Sequence, residues 1–259
     1  MTTIDTSVQH AIEDAAKLLR RSNHAVALSG AGLSAESGIP TYRGTGGIWT
    51  RFGEPTIDGW ELFASDPKAW WEEAIAHGAS EFSVAIERSE PNAGHIAMAQ
   101  LEEMGRLAHT ITQNIDNLHR RAGSRRLTEI HGNRYLVRCM NCGARERLET
   151  VSLDRLPPLC CECGGILKND IVMFGEPIPD DALRESYKQA GASDLFLSVG
   201  TSAVVYPAAD FPLMAKRRGS PLIEVNPEET ALSEFADVIV RAPAGVALPA
   251  IVELLAQEL

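Results

Sequence analysis

Four of the five cysteines are spaced in a way that is typical of a zinc site. Cys139-x-x-Cys142 and Cys160-x-x-Cys163 are separated by seventeen residues, and glycine follows each pair. Tight turns of this kind point two sulfur atoms at one metal ion, and four thiolates complete the coordination of zinc without leaving a position for water. The pattern therefore predicts one structural zinc ion, with Cys161 as the spare thiol. A redox pair and unmetallated thiols are the alternatives.

A glycine-containing turn follows the first apolar run of the chain. Residues 25–28 have the character of a buried strand, and Gly30-x-Gly32-x-x-Ala35 has the spacing of a dinucleotide-binding turn. Glycines at this spacing let the backbone approach a pyrophosphate, although similar turns are common in other α/β proteins. The next residues, 36–44, interrupt any helix early and carry side chains of both charges. They predict a loop that closes over a bound cofactor.

Apolar runs alternate with segments of helical periodicity, which indicates a parallel sheet covered by helices. We predict an amphipathic helix over 7–21 and another that begins at Pro91-Asn92 and continues to about Met104. Further helices are expected near 180–190, 207–217 and 246–258. The predicted buried strands are 25–28, 107–112, 171–174, 195–199, 222–225 and 238–240. We assign these strands to one doubly wound α/β domain.

Two segments interrupt that domain. Residues 44–90 are rich in glycine and aromatic residues at irregular spacing, which predicts a small module of short helices and loops. The second segment, 135–168, carries every cysteine and forms a separate unit. Its flanking arginines would suit a zinc ribbon that binds nucleic acid, but the acidic character of the whole chain disfavours that function.

The bulk composition is that of a globular protein with an acidic surface. The chain has 259 residues, 44% of them hydrophobic, and a formal net charge of −11. This charge disfavours general nucleic-acid binding and favours a basic polypeptide partner, although it would also serve solubility alone. No apolar run approaches the ~20 residues of a membrane-spanning helix, and the N-terminal residues do not have the pattern of a signal peptide. We therefore expect a cytoplasmic protein without a membrane partner or a direct nucleic-acid partner.

Six motifs in one order resemble the sirtuins, which are NAD-dependent protein lysine deacylases. They are the glycine turn at 30–35, TQNIDNLH at 112–119, LTEIHG at 127–132, the double Cys-x-x-Cys, FGE at 174–176 and GTS at 200–202. The resemblance covers residues from about 25 to 246, which is nearly the whole chain.

The resemblance implies an α/β fold in which a doubly wound Rossmann-type parallel sheet is joined to a smaller domain. The large, NAD-binding domain would be discontinuous and comprise 1–43, 91–133 and 169–259. The smaller domain would consist of a helical module, 44–90, and a zinc ribbon, 134–168. The expected partner, an acyl-lysine polypeptide, would bind in the cleft between the two domains.

The resemblance also implies which residues contact NAD. Those expected near the pyrophosphate and the nicotinamide ribose are Gly30, Ala31, Gly32, Glu36, Thr41, Tyr42 and Arg43. Those expected near the same ribose and the carboxamide are Gln113, Asn114, Ile115 and Asp116. Those expected near the phosphates and the adenosine ribose are Gly200, Thr201, Ser202, Asn226 and Ala244. Tyr42 is a departure, because most sirtuins carry Phe at this position.

His131 is expected to be the general base, with Asn114 and Asp116 as further catalytic residues. Imidazole titrates near neutral pH and can accept a proton from a ribose hydroxyl. In the family reaction the acyl oxygen attacks the ribose carbon and nicotinamide leaves, and the products are free lysine, nicotinamide and acyl-ADP-ribose. Without the resemblance, His131 would not stand out among seven histidines. Asn114 and Asp116 would then be interpreted as helix caps.

Two segments are expected to pair with the substrate backbone by strand addition. The substrate residues implied are Val172, Phe174, Gly175, Glu176, Val204 and Tyr206. Sirtuins that remove succinyl and malonyl groups carry a Tyr and an Arg that bind the acyl carboxylate. Ungapped counting from Pro67 and Trp71 places Ala74 and His77 at those two positions. Because the pair is missing, we expect acetyl and longer neutral acyl groups to be cleaved better than succinyl.

Two other functions are open at this point. A mono-ADP-ribosyltransferase would use the same pocket but pass ADP-ribose to a protein nucleophile. A non-catalytic NAD-sensing module would need no base. An intact His131 with two peptide-pairing segments favours the deacylase, and the filled polar positions disfavour the non-catalytic module.

Overall fold

The computed structural model describes residues 5–44, 47–54, 58–76 and 80–257. Its strands are β1 (Ala25–Ser29), β2 (His109–Thr112), β3 (Leu127–Glu129), β4 (Gly132–Cys139), β5 (Arg145–Arg147), β6 (Leu167–Ile171), β7 (Leu195–Val199), β8 (Leu222–Val225) and β9 (Val238–Val240). Its α-helices are α1 (Thr6–Arg21), α2 (Ala31–Ser34), α3 (Ile48–Phe52), α4 (Gly59–Ser65), α5 (Pro67–Ala76), α6 (Glu81–Arg88), α7 (Ala93–Glu103), α8 (Leu118–Arg121), α9 (Asp180–Ala192), α10 (Asp210–Arg217) and α11 (Ala244–Ala256).

Within these residues, six parallel strands form the large sheet in the order β3-β2-β1-β7-β8-β9. The chain builds outwards from β1 to β3 and later returns to β7, so the strand order reverses between β1 and β7. This topology confirms the predicted doubly wound parallel sheet. Ligands of such folds bind outside the carboxyl ends of the strands at the reversal.

Both faces of the large sheet are covered by helices, because successive side chains of a strand point to opposite faces. Ala25 and Ala27 of β1 pack in one apolar cluster with α1, α7 and α11. Val26 and Leu28 pack in a second cluster with α9 and α10. The alternation explains why a run of apolar residues in β1 is buried throughout.

β4, β5 and β6 form a separate antiparallel sheet in the order β5-β4-β6. The prediction that residues 171–174 form a strand of the main sheet is therefore wrong. Ile171 pairs with Gly132 of β4, and the chain turns immediately afterwards. Gly132 permits this pairing because a Cβ atom there would lie 1.4 Å from the Asp170 carbonyl oxygen.

Short helices of the segment 44–90 pack against the small sheet. Trp71 of α5 is buried and its indole N–H donates to the Leu167 carbonyl at 2.9 Å. Phe63 of α4 stacks against Trp60 and contacts the edge of Trp70. None of the helices in the described parts of the chain is both long and apolar enough to cross a bilayer.

Candidate functional site

The carboxyl ends of four neighbouring strands meet at one edge of the large sheet. The loops after β1, β2, β7 and β8 begin at Gly30, Gln113, Gly200 and Asn226. These strands are parallel and adjacent, so three of the predicted cofactor segments and Asn226 lie at the same edge. This edge includes the point at which the strand order reverses, where doubly wound sheets bind ligands.

The loops after β1 and β7 are in direct backbone contact. The Gly32 amide donates to the Gly200 carbonyl at 2.8 Å. A Cβ atom at Gly30 would lie 2.9 Å from that carbonyl oxygen, and one at Gly32 would lie 2.8 Å from it. Gly200 has a φ of +58°, which residues with a Cβ rarely adopt. Glycine is thus required here for loop packing, independently of any approach to a cofactor.

Asn114 and Asp116 form a buried polar cluster with Ser34. Asn114 Nδ2 donates to the Gly30 carbonyl at 3.0 Å and to Ser34 Oγ at 3.1 Å. Ser34 Oγ donates to the Asp116 carboxylate at 2.6 Å, and the Leu118 amide donates to its other oxygen at 2.9 Å. Burial raises the pKa of Asp116, while these two hydrogen bonds act in the opposite direction. The contact with Leu118 bonds Asp116 to the first residue of α8, whereas the N-cap position of that helix is Asn117.

A small pocket adjoins this polar cluster. Ser34, Asn114 and Asp116 line one part of it, and the remaining lining residues are Ala31, Ile39, Pro40, Tyr42, Phe82, Ile86 and Ile115. The Tyr42 ring centroid lies 5.5 Å from that of Phe82. Burial and the nearby Asp116 charge raise the pKa of Tyr42 to about 12, so its hydroxyl stays protonated at neutral pH. The pocket lining is therefore mostly apolar, with Ser34, Asn114 and Asp116 as its hydrogen-bonding side chains beside the Tyr42 hydroxyl.

His131 lies between β3 and β4, and its ring contacts the loop after β2. Its Nδ1 is 3.2 Å from the Gln113 carbonyl oxygen. Because a carbonyl can only accept, Nδ1 carries the proton and Nε2 keeps its lone pair. Burial lowers the pKa of His131 more than this hydrogen bond raises it, so the ring is neutral at pH 7. Gln113 Nε2 in turn donates to Thr201 Oγ1 at 2.9 Å, which joins the loops after β2 and β7.

Hydrogen bonds within the protein connect the segments that are predicted to bind the phosphates and the adenosine ribose of NAD. Asn226 Nδ2 donates to the Thr201 carbonyl at 3.2 Å. Ser202 is exposed in the same loop. The Glu36 carboxylate accepts from the Gly245 amide at 2.7 Å, beside Ala244 at the start of α11. The loop after α2 and the N-terminus of α11 are thereby joined.

The loop that carries Thr41 and Arg43 turns back on α3. Thr41 Oγ1 donates to the Arg43 carbonyl at 2.8 Å. The Arg43 guanidinium pairs with Glu54 at 3.0 Å and lies 4.4 Å from the centre of the Trp49 ring. This loop therefore connects the pocket with the helices of the 44–90 segment.

Three of the predicted substrate residues expose apolar surface. Phe174 is 40% exposed, Val204 45% and Tyr206 66%. The Phe174 ring lies 5.7 Å from that of Trp49. The Val172 amide donates to the His131 carbonyl at 3.0 Å. The segment that contains Phe174 is therefore hydrogen-bonded to the backbone of the predicted base.

Of the two positions expected at the end of the acyl group, the structure describes only Ala74, and it does not line the pocket. Ala74 is exposed on α5 and is absent from the described residues that line the pocket. His77 lies outside the described residues. Their assignment stays a prediction from the sequence.

The four cysteines of the two Cys-x-x-Cys motifs converge. The Sγ atoms of Cys139, Cys142, Cys160 and Cys163 all lie within 4.8 Å of one another. The Cys139–Cys163 and Cys142–Cys160 sulfur distances are 3.5 and 3.8 Å. Four thiolates about 2.3 Å from one zinc ion would lie about 3.8 Å apart in a tetrahedron, so the cluster fits that metal. Cys161 is exposed and does not belong to this cluster.

Comparison with known proteins identifies the family. The profile of the Sir2 family matches residues 30–207. The chain belongs to the Sir2 family. NAD-dependent protein deacylase 2 of Pyrobaculum aerophilum is 44% identical over 243 residues, which cover 92% of this chain and 93% of the relative.

Solved Sir2 structures have the same fold as this chain. A Sir2 homolog–NAD complex is 40% identical and superposes with a TM-score of 0.77 over 95% of this chain and 94% of its own. A structure described as Sir2-p53 peptide-NAD+ is 34% identical, with a TM-score of 0.76 over 94% of this chain and 98% of its own. These matches confirm the sirtuin resemblance and the Rossmann-type fold with its smaller zinc-ribbon unit.

Several residues of this Sir2 site were not predicted from the sequence. Ser34 bonds both Asn114 and Asp116, yet a serine in a glycine turn carries no distinctive signal. Phe82 and Ile86 close the pocket from α6, and their spacing of four residues on one helix face was the available signal.

Proposed function

We propose that this Sir2 protein is an NAD-dependent protein lysine deacylase. The observation that carries the proposal is the setting of His131: a neutral ring with its Nε2 lone pair free, bonded to the loop that holds Asn114 and Asp116. The proposed products are free lysine, nicotinamide and O-acyl-ADP-ribose. The relatives named as NAD-dependent deacylases support the proposal.

The pocket beside Asn114 and Asp116 fits the nicotinamide end of NAD. A planar aromatic ring suits the mostly apolar pocket that Tyr42 helps to line, and the Asp116 carboxylate provides an acceptor for the N–H of a carboxamide. When bound, NAD supplies an electrophilic ribose carbon and a leaving group. The loops after β1, β2, β7 and β8 would hold the rest of the cofactor.

The protein's own contribution to the chemistry is positioning and proton transfer. His131 is neutral at pH 7 and accepts a proton from a ribose hydroxyl at Nε2, while the Gln113 carbonyl holds the protonated Nδ1 in place. The pocket walls exclude water from the reacting carbon. The segment 172–175 and the loop 203–206 present exposed side chains and backbone to an extended acyl-lysine peptide.

The proposed organisation has two domains, and its boundaries at 133/134 and 168/169 fall within β4 and β6 of the small sheet. The large domain, 1–43, 91–133 and 169–259, would bind NAD, and the helical module 44–90 with the zinc ribbon 134–168 would form the other side of the peptide cleft. The zinc held by the four cysteines is structural in this proposal. The proposed location is the cytoplasm, which rests on the sequence alone.

One assay tests the proposed function. Purified protein is incubated with an acetyl-lysine peptide with and without NAD, and the products are identified by mass spectrometry. We expect peptide deacetylation that requires NAD, with acetyl-ADP-ribose formed in equal amount. ADP-ribosylated peptide without deacetylation would instead support a mono-ADP-ribosyltransferase.

His131→Ala tests the assignment of the base. Removal of a general base costs ~10²–10⁴ in rate, so we expect a loss of that size with NAD binding retained in calorimetry. His10→Ala is the matched control, because His10 is exposed on α1 and distant in sequence from the site. More than half of the wild-type rate in the His131 variant would contradict the assignment.

A further inference from the structure

A network of ion pairs lies between the small sheet and the segment that follows it. Lys168 and Arg138 approach the two oxygens of the Glu176 carboxylate, at 3.0 and 2.6 Å. The Arg138 Nε also donates to Asp170 at 2.9 Å. Arg145 extends the network from the other oxygen of Asp170, at 2.9 Å, towards α9. The network therefore connects β4, β5 and β6.

The central members of this network are buried. The Lys168 side chain is 0% exposed and that of Glu176 is 1% exposed. Burial of two charges is favourable only when each is well paired and hydrogen-bonded. Lys168 meets this condition because its Nζ also donates to the carbonyls of Asn169 and Ile171, at 2.9 and 2.6 Å.

The Glu176 carboxylate also holds the backbone in front of it. It accepts the Met173 amide at 2.9 Å, and the Glu176 amide donates to the Met173 carbonyl at 3.0 Å. The turn of residues 173–176 is thus closed from both sides. Lys168 fixes Ile171 at the start of the same segment, and the Val172 amide is bonded to His131.

The Glu176 side chain therefore points away from solvent, although its backbone lies in the segment predicted to pair with substrate. Phe174, only two residues earlier, is 40% exposed. The buried Glu176 carboxylate therefore stabilises the turn, while the Phe174 side chain of the same turn is exposed to solvent.

We propose that Glu176 is a positioning residue that, through Lys168 and Arg138, fixes the segment 172–175 in the shape that receives the acyl-lysine peptide. This inference rests on the proposed function. It also links the zinc ribbon to peptide binding, because Arg138 precedes the metal ligand Cys139 on β4. Among the described residues, no member of the network is hydrogen-bonded to the loops predicted to hold NAD, so a change at Glu176 should affect the peptide KM more than the NAD KM.

Glu176→Asp tests whether the position of the carboxylate matters, because this variant keeps the negative charge and shortens the side chain by one methylene. The shorter side chain keeps a negative charge in the network but draws its oxygens back from the Met173 amide as well as from Lys168 and Arg138. In steady-state kinetics with an acetyl-lysine peptide, we expect a peptide KM at least tenfold higher, with the NAD KM within twofold of wild type. Glu176→Gln keeps the side-chain length, and its amide oxygen can still accept from the Met173 amide. We therefore expect a peptide KM between those of wild type and Glu176→Asp, with a lower Tm because Arg138 loses this carboxylate partner.

Asp181→Asn is the matched control. Asp181 belongs to the same network through Arg145, at 2.8 Å, but its side chain is 61% exposed and does not bond the segment 172–175. We expect both KM values to stay within twofold of wild type. An unchanged peptide KM in Glu176→Asp, or an equal rise in both KM values, would overturn the proposal.

Amide exchange in the wild-type protein gives a test that needs no variant and no activity. By NMR, the Met173 amide should exchange slowly without any ligand, because Glu176 already accepts it. Free exchange of this amide would overturn the proposal even if the protein deacylates peptides. Wild-type protein without NAD-dependent deacylation would count against the proposed function alone.

Discussion

Two buried histidines lie next to the candidate site and make the fold sensitive to acid. Burial lowers the pKa of His95 to about 4 and that of His119 to about 3. Their rings are in edge contact at 5.3 Å, and His119 Nε2 is 2.8 Å from Ser29 Oγ. The unfolded chain would bind protons on both histidines below about pH 6.5, whereas the folded chain would not.

The sign of the pH dependence follows from this difference. Since the unfolded state binds more protons, the free energy of unfolding falls as pH decreases from about 6.5 towards 4, by up to about 1.4 kcal/mol per pH unit for each histidine. His119→Gln should therefore flatten the acid limb relative to wild type. Denaturant titrations between pH 5 and 7.5 measure the free energy of unfolding of both proteins. Samples with the same zinc content are compared, so that any release of the metal in acid affects both proteins equally. Parallel curves for the two proteins would contradict the prediction.

At the residue scale, the sequence predicted which polar residues lie at the candidate site but not the residues with which they form hydrogen bonds and ion pairs. Asn114 and Asp116 were identified from their motif, yet Ser34, which bonds both, was not. Lys168 was also missed, because a lysine in a strand is ordinarily exposed. Its burial depends on pairing with Glu176, eight residues later, whose other oxygen accepts from Arg138 in another strand. Such pairing is decided by the fold and cannot be read from local sequence.

At the element scale, the zinc ribbon depends on two turns that meet around one ion. A Cβ atom at Gly165 would lie 2.8 Å from Cys139 Sγ and 3.2 Å from Cys163 Sγ, so the second turn packs closely against the sulfurs. Cys139 and Cys160 belong to the small apolar cluster that also contains Trp71 and Val137. Metal binding and packing of this unit should therefore be coupled.

Neighbouring cysteines test this coupling. Cys160→Ser should lose the metal and unfold the small sheet, because a structural zinc ion contributes directly to folding. Cys161→Ser, one residue further, is the control and should keep one zinc ion per chain. Elemental analysis and circular dichroism of both variants measure the outcome. Loss of zinc from Cys161→Ser with retention in Cys160→Ser would show that the ligand set is wrong.

The strands of the large sheet were predictable because they are apolar and buried on both faces. β1 and β7 are buried at every position, which a short apolar run indicates directly. The run 171–174 looks similar in sequence, but it begins at the last residue of β6, in the other sheet, and the chain then turns. An apolar run of four residues therefore fixes neither burial nor sheet: residues 171–173 are partly exposed, Phe174 is 40% exposed, and Ile171 pairs with Gly132 of the small sheet.

At the scale of the whole molecule, charge disfavours an anionic acyl group. The net charge is −11, and a field of this sign repels an approaching carboxylate while attracting basic peptides. Within the 44–90 segment, the Arg43 guanidinium already pairs with Glu54 and stacks on Trp49. Arg51 lies 3.9 Å from Glu81. These cations therefore already have acidic neighbours in the described structure.

The acyl preference follows from this distribution of charge. A buried succinyl carboxylate costs several kcal/mol unless a cation and a donor meet it, and the counted positions hold Ala74 and His77 instead of Tyr and Arg. Each methylene of a neutral chain that becomes buried contributes about 0.8 kcal/mol. We therefore expect kcat/KM at neutral pH to be higher for acetyl-lysine and for a long-chain acyl-lysine than for succinyl-lysine on one peptide. A clear preference for succinyl would contradict this and would direct attention to Arg51 or Arg88, whose replacement by Gln should then abolish the preference.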